Sequence, residues 1–580
     1  MRLVRPIGLR TAIALGVLAA MVGILPQPAW APDAFSDGLA LFNAGEWNRA
    51  ASALVSAVAG KPDDAAVRLT AGVALANVKR YPEAAGQFKA AARLSPDGIL
   101  PHLLLDGVYA EMGNQLESRR AREQAGRVLN SRRAFGAETS SDRALTASLA
   151  KYPQNAIAHL LLGDLYQLQN KLALAKGQYS KASELSPKWG KPVFNLAMAD
   201  LQADPKAAGE KLQRVIQMDP SNRRAYLWRG DAYLGQNKLD KAIESYNYAG
   251  KDKSLAAEAQ TRVANAELRA GNYQAAQEGF AQAAKQAPQD ARPIAGYAQV
   301  LQSEGKYREA EQKYDEAAGV LARNRAPAPS QAVVKGQIAE VQVQQGRFGD
   351  AITNLKLGYD LHPTRTNADA LVVAEQKGNR LPEGIFANEA ALGKSPRNAQ
   401  AMVYLLSAYK AAGNHLGRIE IGNRLIKADP QNAPVYYAEL GAAQMIIGSV
   451  PDGVEAYVRG LEAGDPTTWG DTAGSAASAG ALGQVTERVA NAFKVSNKTR
   501  TGLILFELQS ARKDVPAMVA TAETLVKLNP DQPTHWLRLG EAYEQAGSKE
   551  LALAAYSKVA ASPDPEAASA ARARIEAIRR

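Results

Sequence analysis

The residues able to do covalent or metal chemistry are few and scattered in this chain. There is no cysteine, which removes disulfides, thiolate metal ligands, a cysteine nucleophile and a lipid-modified cysteine. The histidines are His102, His159, His362, His415 and His535; no two are near neighbours and none stands in a His-Glu-x-x-His pair. A zinc site or a general base needs such groups brought together by short spacing on a helix or loop. His102, His159 and His535 instead fall early in expected helices, where a packing or surface role is the simpler reading. No glycine-rich loop ends in Gly-Lys-Ser/Thr, no dinucleotide fingerprint follows a strand, and no Gly-x-Ser-x-Gly elbow occurs. Carboxylates are plentiful but sit at solvated helical positions, with no pair marked out as acid and base. The sequence therefore implies no enzyme, no metal and no cofactor.

What the chain offers instead is helix. At 580 residues it exceeds the size at which one core keeps growing, so it is several domains or an array that adds core piece by piece. Aromatics are only 6%, and alanines recur at spacings of three and four, a pattern suited to closely packed helices. The formal charge of +11 includes Arg2, Arg5 and Arg10, and the remainder, spread along the rest of the chain, is too dilute for a nucleic-acid footprint. Met1 to Arg10 is basic, Thr11 to Leu25 is apolar, and Ala29-Trp30-Ala31 has the small-x-small form of a signal-peptidase site. The apolar stretch is shorter than the roughly 20 residues of a bilayer span. Pro32 would hinder cleavage at Ala31, so segment 1–31 is either a removed signal or a retained anchor. In both cases the remainder is expected outside the cytosol, in the periplasm or at the cell envelope.

Self-similarity at a fixed period decides the architecture. With Ala65 as position 1 of a 34-residue frame, Gly72 falls at position 8, Leu75 at 11, Ala84 at 20, Phe88 at 24, Ala91 at 27 and Pro96 at 32. From Ala156 the same positions hold Gly163, Tyr166, Ala175, Tyr179, Ala182 and Pro187. The frame from Arg223 contains Gly230, Tyr233, Ala242, Tyr246 and Ala249, and the frame from Pro533 contains Gly540, Tyr543, Ala552 and Tyr556. Small residues at 8 and 20 are expected to face each other where the two helices of a pair cross, with the aromatics at 11 and 24 filling the flanks. Position 27 admits the next unit, and proline at 32 ends the second helix. Gly45, Gly113, Gly271, Gly305, Gly346, Gly413 and Gly547 mark the turn between the helices.

These positions make the chain resemble the tetratricopeptide repeat family. The resemblance implies an all-α fold, a right-handed superhelical solenoid of antiparallel helix pairs, with about 14 repeats. The expected organisation is a signal or anchor at 1–31, an N-terminal array at 32–323 that is irregular at 126–155, and a proline-rich linker at 324–331 that bends the array. A more degenerate array at 332–565 and a capping helix at 566–580 complete it. A Gly-, Ala- and Ser-rich tract at 463–483 is a further expected break.

In such an array the first helices line a concave surface with positions 2, 5, 6, 9 and 12. On that basis the candidate protein-binding residues are Arg224, Trp228, Asp231, Asp164, Gln167, Arg538 and Glu541. Trp228 with Arg224 has the composition of an interface anchor, although Trp228 packing on its neighbour is an equal reading. The Lys and Asn clamp with which some family members hold a terminal carboxylate is not reproduced. A basic patch, Arg119, Arg120, Arg122, Arg132 and Arg133, is the second candidate; Glu117, Glu123 and Glu138 interleave with it, which favours a solvated charged face.

The function expected is a non-enzymatic protein–protein scaffold of the bacterial cell envelope, and the resemblance points toward exopolysaccharide export or envelope complex assembly. The alternatives are an accessory arm of an envelope enzyme and a glycan-binding solenoid. Partners are expected to be envelope proteins, with polysaccharide as an alternative, no nucleic acid, and membrane contact only through an uncleaved N-terminus.

Overall fold

The computed structural model describes residues 34–135, 140–169, 171–562 and 565–579. Segment 1–31 lies outside the described residues. Among these residues thirty-two α-helices follow one another and no strand occurs. Thirty of them form fifteen consecutive helix pairs, one more than the expected count; the unpaired helices are Ser140–Lys151 and Pro565–Arg579. No described helix is long and apolar enough to cross a membrane.

Each pair is built by local signals that recur. An Asp or Asn stands before many first helices and caps them: Asp64 accepts from the Ala66 and Val67 amides, Asn155 from Ala158, and Asn222 from Ala225. Each such cap is worth about 1 kcal/mol. At position 15 the chain turns through the left-handed region, and all seven glycines singled out for that turn have positive φ. Lys79, Asn237, Asn379 and Lys513 adopt the same conformation in other copies without glycine's freedom.

The close approach within a pair is more specific than small residue against small residue. A Cβ on Gly163 or Gly540 would lie 2.5 Å from the ring of Tyr179 or Tyr556, and Gly72 and Gly230 sit just as tightly under Phe88 and Tyr246. Position 8 is therefore glycine because the aromatic at position 24 lies across it. Ala84, Ala175, Ala242 and Ala552 at position 20 are fully buried beside that contact.

The helices divide into two compact units, residues up to Leu196 and Ala197–Arg580, with helix Gly190–Asp200 running through the division. At 324–331, where the sequence predicts a bend, one helix ends at Arg323 and the next begins at Ala328. There the insertion is absorbed by helix: Tyr307–Arg323 and Ala328–Gln344 each have 17 residues, about a turn more than most of their neighbours. One core runs from Ala291 through Tyr314 and Val320 to Val334 and Val341, so packing continues across the proline-rich stretch. The tract 463–483 is likewise integrated: Trp469 is buried, its indole N–H donates to the Leu461 carbonyl at 2.8 Å, and Ala473 and Ala476 join a core reaching Leu525.

The unit up to Leu196 is not a simple stack. Helix Ala65–Asn77 packs directly on Ser140–Lys151 and Ala156–Leu168, although the pair Leu100–Glu111/Gln115–Phe135 intervenes in sequence. Phe42 meets Trp189 edge to face at 4.9 Å and Phe35 meets Tyr152 at 4.9 Å. The Asn43 amide donates to the Gln154 carbonyl at 2.8 Å, and Lys61 Nζ donates to the Tyr152 hydroxyl at 2.7 Å. The first helix pair is thus seated on the segments that flank the fourth, and a single core holds both. In the second unit, consecutive helices pack in order, and Pro565–Arg579 closes the end by burying Ala567 and Ala571 against Tyr556 and Val559.

Candidate functional site

The first helices differ from repeat to repeat in what their expected binding positions do. In the repeat from Ala65, Ala66, Leu69, Thr70 and Val73 at positions 2, 5, 6 and 9 are all buried. In the repeat from Ala156, Ile157, Leu160 and Leu161 are buried as well. Both helices are apolar almost all round, as a helix enclosed by protein must be. In the second unit positions 2, 6 and 9 carry Arg224, Trp228 and Asp231 in one repeat and Glu258, Arg262 and Asn265 in the next, all half-buried or exposed, while position 5 stays buried as Leu227 and Thr261.

Two of the predicted residues of the first unit are occupied by the fold itself. Asp164 accepts from the Tyr179 hydroxyl at 2.8 Å and from the Asn195 amide at 2.8 Å, and Gln167 accepts from the same hydroxyl at 2.7 Å. Burial raises the Asp164 carboxyl above its ordinary range against the opposing pull of Lys191, Tyr179 and Asn195. Asp164 is half-buried; Gln167 is exposed.

The same arrangement recurs from Arg223. Asp231 accepts from Tyr246 at 2.7 Å and from Arg262 Nε at 3.1 Å. Tyr246 is at position 24 of the same repeat, and Arg262 is at position 6 of the next, as Asn195 is relative to Asp164. Position 9 therefore ties a repeat internally and to its successor. Burial raises the Asp231 carboxyl, with Arg262 and Tyr246 opposing. Trp228 lies under the Arg262 guanidinium, 5.0 Å from ring centroid to Cζ, and Arg262 also pairs with Glu258 at 2.5 Å. The cation on the tryptophan is thus Arg262 from the next repeat, while Arg224 is exposed beside it in sequence. In the last repeat Arg538 pairs with Glu541 at 2.7 Å and covers the Phe506 ring at 5.4 Å; Tyr556 donates to Glu544 at 2.9 Å.

The basic patch is neutralised where it is described. Arg119 pairs with Glu123 at 3.0 Å, Arg120 with Glu117 at 2.6 Å and Arg122 with Asp106 at 3.0 Å. The side chains of Arg132 and Arg133 lie outside the described residues. Among the described residues no group of three His, Asp or Glu side chains could hold a metal.

One charged cluster escaped the sequence reading. Glu439 is buried and receives Arg365, Lys410 and Arg418, from the two preceding repeats. Lys410 Nζ donates at 3.2 Å and Arg418 Nε at 3.1 Å. Burial by itself would raise the Glu439 carboxyl, but the three cations outweigh it and hold it down at about 2. Arg418 is itself buried and occupies position 20 of the frame from Ala399, where other copies have alanine. That departure from the repeat was the available signal: a buried arginine at a small-residue position needs a carboxylate partner.

The tetratricopeptide repeat model matches residues 37–99, 202–256 and 519–568. Among solved structures the chain is similar to a tetratricopeptide repeat protein from Parabacteroides merdae, at 16% identity over 48% of this chain and 98% of that one, with a TM-score of 0.35. It is similar to PilF of Pseudomonas aeruginosa, at 19% identity over 37% of this chain and 94% of that one, TM-score 0.29. It is also similar to YrrB, described as having an unusual peptide-binding site, at 16% identity over 33% of this chain and 95% of that one, TM-score 0.24. No curated protein matches the sequence. Stacked helix-pair repeats generally serve as protein-binding scaffolds. The three matched segments are thus tetratricopeptide repeats, and the helix pairs between them continue the same all-α architecture.

Proposed function

We propose that this protein is an exported, non-enzymatic scaffold that gathers protein components of the cell envelope on the first-helix face of residues 197–580, assembling a complex such as one for exopolysaccharide export. The observation that carries the reading is the contrast between the repeat from Ala65 and those from Arg223 and Ala257. Positions 2, 6 and 9 are buried in the repeat from Ala65, whereas in the repeat from Ala257 they hold Glu258, Arg262 and Asn265, all half-buried; position 5 is buried in both. Trp228, held by Arg262 and flanked by the exposed Arg224, is the anchor of that face. Trp and Arg in such settings dominate protein interfaces. The basic and apolar segment ending at Ala31 supports export.

The test is affinity capture of the tagged protein from envelope fractions, comparing wild type with Arg224→Ala/Trp228→Ala. Protein partners retained by the wild type and lost by the variant support the reading. Retention on a polysaccharide column with no protein partner would overturn it in favour of a glycan-binding array.

A further inference from the structure

A second surface has the chemistry of a binding site and uses none of the first-helix positions above. Between helix Pro205–Met218 and the turn joining Arg223–Gly235 to Leu239–Ala249 lies a cavity of about 380 Å³. Lys206, Glu210, Gln213, Arg214 and Gln217 line one side. Their spacing of three and four keeps them on one stripe of the helix, roughly 16 Å long at 1.5 Å per residue. Tyr233, Gln236, Lys238 and Lys241 line the other.

The lining holds four cations against one carboxylate, Glu210. Among the described residues Lys206, Arg214 and Lys241 have no ion-pair partner, and Lys238 Nζ donates only to Gln236 Oε1, at 2.8 Å. Lys211, on the same helix, pairs with Asp200 at 2.9 Å, and Arg262 one repeat on pairs with two carboxylates. Unneutralised cations lining one recess raise the local potential and draw in an anion, even where, as here, the four side chains are exposed.

The neutral groups decide which anion fits. A saccharide site would offer an open aromatic face, but the Tyr233 ring has the Arg229 guanidinium 5.8 Å from its centroid, and Arg229 Nη1 is fixed by donating to Gln213 Oε1 at 2.5 Å. The carboxamides of Gln213 and Gln217 supply the alternating donors and acceptors that a peptide backbone requires. A stripe of this length spans about five residues of extended chain. We infer that the cavity seats a short acidic segment of a partner protein, a run of Asp or Glu side chains bound by Lys206, Arg214, Lys238 and Lys241.

The full chain is titrated with a fluorescein-labelled hexaglutamate peptide by fluorescence anisotropy at low and at physiological salt, with hexaglutamine as the neutral control. Hexaglutamate is expected to bind in a salt-dependent manner and hexaglutamine not to bind. Arg214→Glu/Lys241→Glu should weaken binding roughly tenfold or more, and Arg119→Glu/Arg120→Glu, which reverses charge in the other unit, should leave it unchanged. Lys241→Gln, an exposed charge deletion without reversal, should weaken it by roughly two- to threefold and guards against loss of fold in the double variant. Absence of hexaglutamate binding, or equal effects of the two double variants, would overturn the assignment. Displacement of the peptide by oligogalacturonate at lower concentration would overturn it in favour of an acidic glycan. Failure here leaves the first-helix reading standing, since that reading is tested by partner capture with Arg224→Ala/Trp228→Ala.

Discussion

The Tyr246 hydroxyl donates to Asp231 Oδ1 at 2.7 Å, and the oxygen that receives it is also the one that Arg262 of the following repeat approaches at 3.1 Å. One carboxylate therefore serves the closure of a repeat and its registration on the next. The other copies follow the chemistry of the ring. Where position 24 is tyrosine an acceptor faces it, as Gln302 faces Tyr314 at 3.1 Å and Glu544 faces Tyr556 at 2.9 Å. Where it is Phe88, the same positions hold Val73 and Ala76.

Exchanging the two ring types should therefore cost stability in both directions. Tyr246→Phe removes a donor from a half-buried carboxylate and should lower stability by about 1–2 kcal/mol. Phe88→Tyr buries a hydroxyl without an acceptor and should cost about 1–3 kcal/mol. Thermal melts of both variants check this; a neutral Phe88→Tyr would show that acceptor matching does not separate the copies.

Glycine has two distinct roles in the repeat, and substitution should separate them. Gly230→Ala drives a methyl into the Tyr246 ring and should destabilise by about 1–3 kcal/mol through overpacking. Gly271 has φ +81 with open space around a Cβ, so Gly271→Ala should cost about 1 kcal/mol through backbone strain alone. Lys79 has φ 61 at the equivalent turn, and Lys79→Gly should raise the melting temperature. A lowered melting temperature for Lys79→Gly would contradict the strain argument.

The Glu439 cluster should leave a signature in acid. Its carboxyl is held at about 2, below its ordinary 4.5, so the folded state is favoured by its ionisation. That contribution, on the order of 3 kcal/mol, is full above the unfolded value and is lost as pH falls from about 4.5 through about 2. The stability gap between wild type and Glu439→Gln should accordingly be wide at neutral pH and close across that window. Parallel melts at several pH values measure it, and a gap independent of pH would refute the assignment.

Closure of the first unit depends on Trp189, which is buried against Phe42. Trp189→Ala should cost about 3–5 kcal/mol locally. Hydrogen exchange is expected to accelerate in Ala34–Ala44 and Trp47–Gly60 while Pro533–Gln545 is unchanged. Unaltered protection of the first pair would mean that its seat does not rest on this contact.

Much of this fold is readable in the chain because its determinants are local. Gly163, Ala175 and Tyr179 meet inside one helix pair, and the turn glycines, the Asp and Asn caps and the prolines act within a few residues of themselves. A 34-residue period repeats those local rules, so helix pairing and core positions followed from sequence alone. The proline-rich stretch at 324–331 does break helix, between Arg323 and Ala328, while two lengthened helices on either side keep the core continuous, which no local signal announces.

Tertiary structure alone decided which repeats meet across large separations. Phe42 with Trp189, Arg365 with Glu439, and the recess shared by Arg214 and Lys241 depend on how each pair is rotated on the last. Small rotations accumulate over several stacked units, and no spacing rule carries that sum. The sequence by itself determined the repeat, its turns and its core. The geometry determined which first-helix faces are buried and which remain for a partner, because burial depends on what packs opposite and not on what is adjacent in the chain.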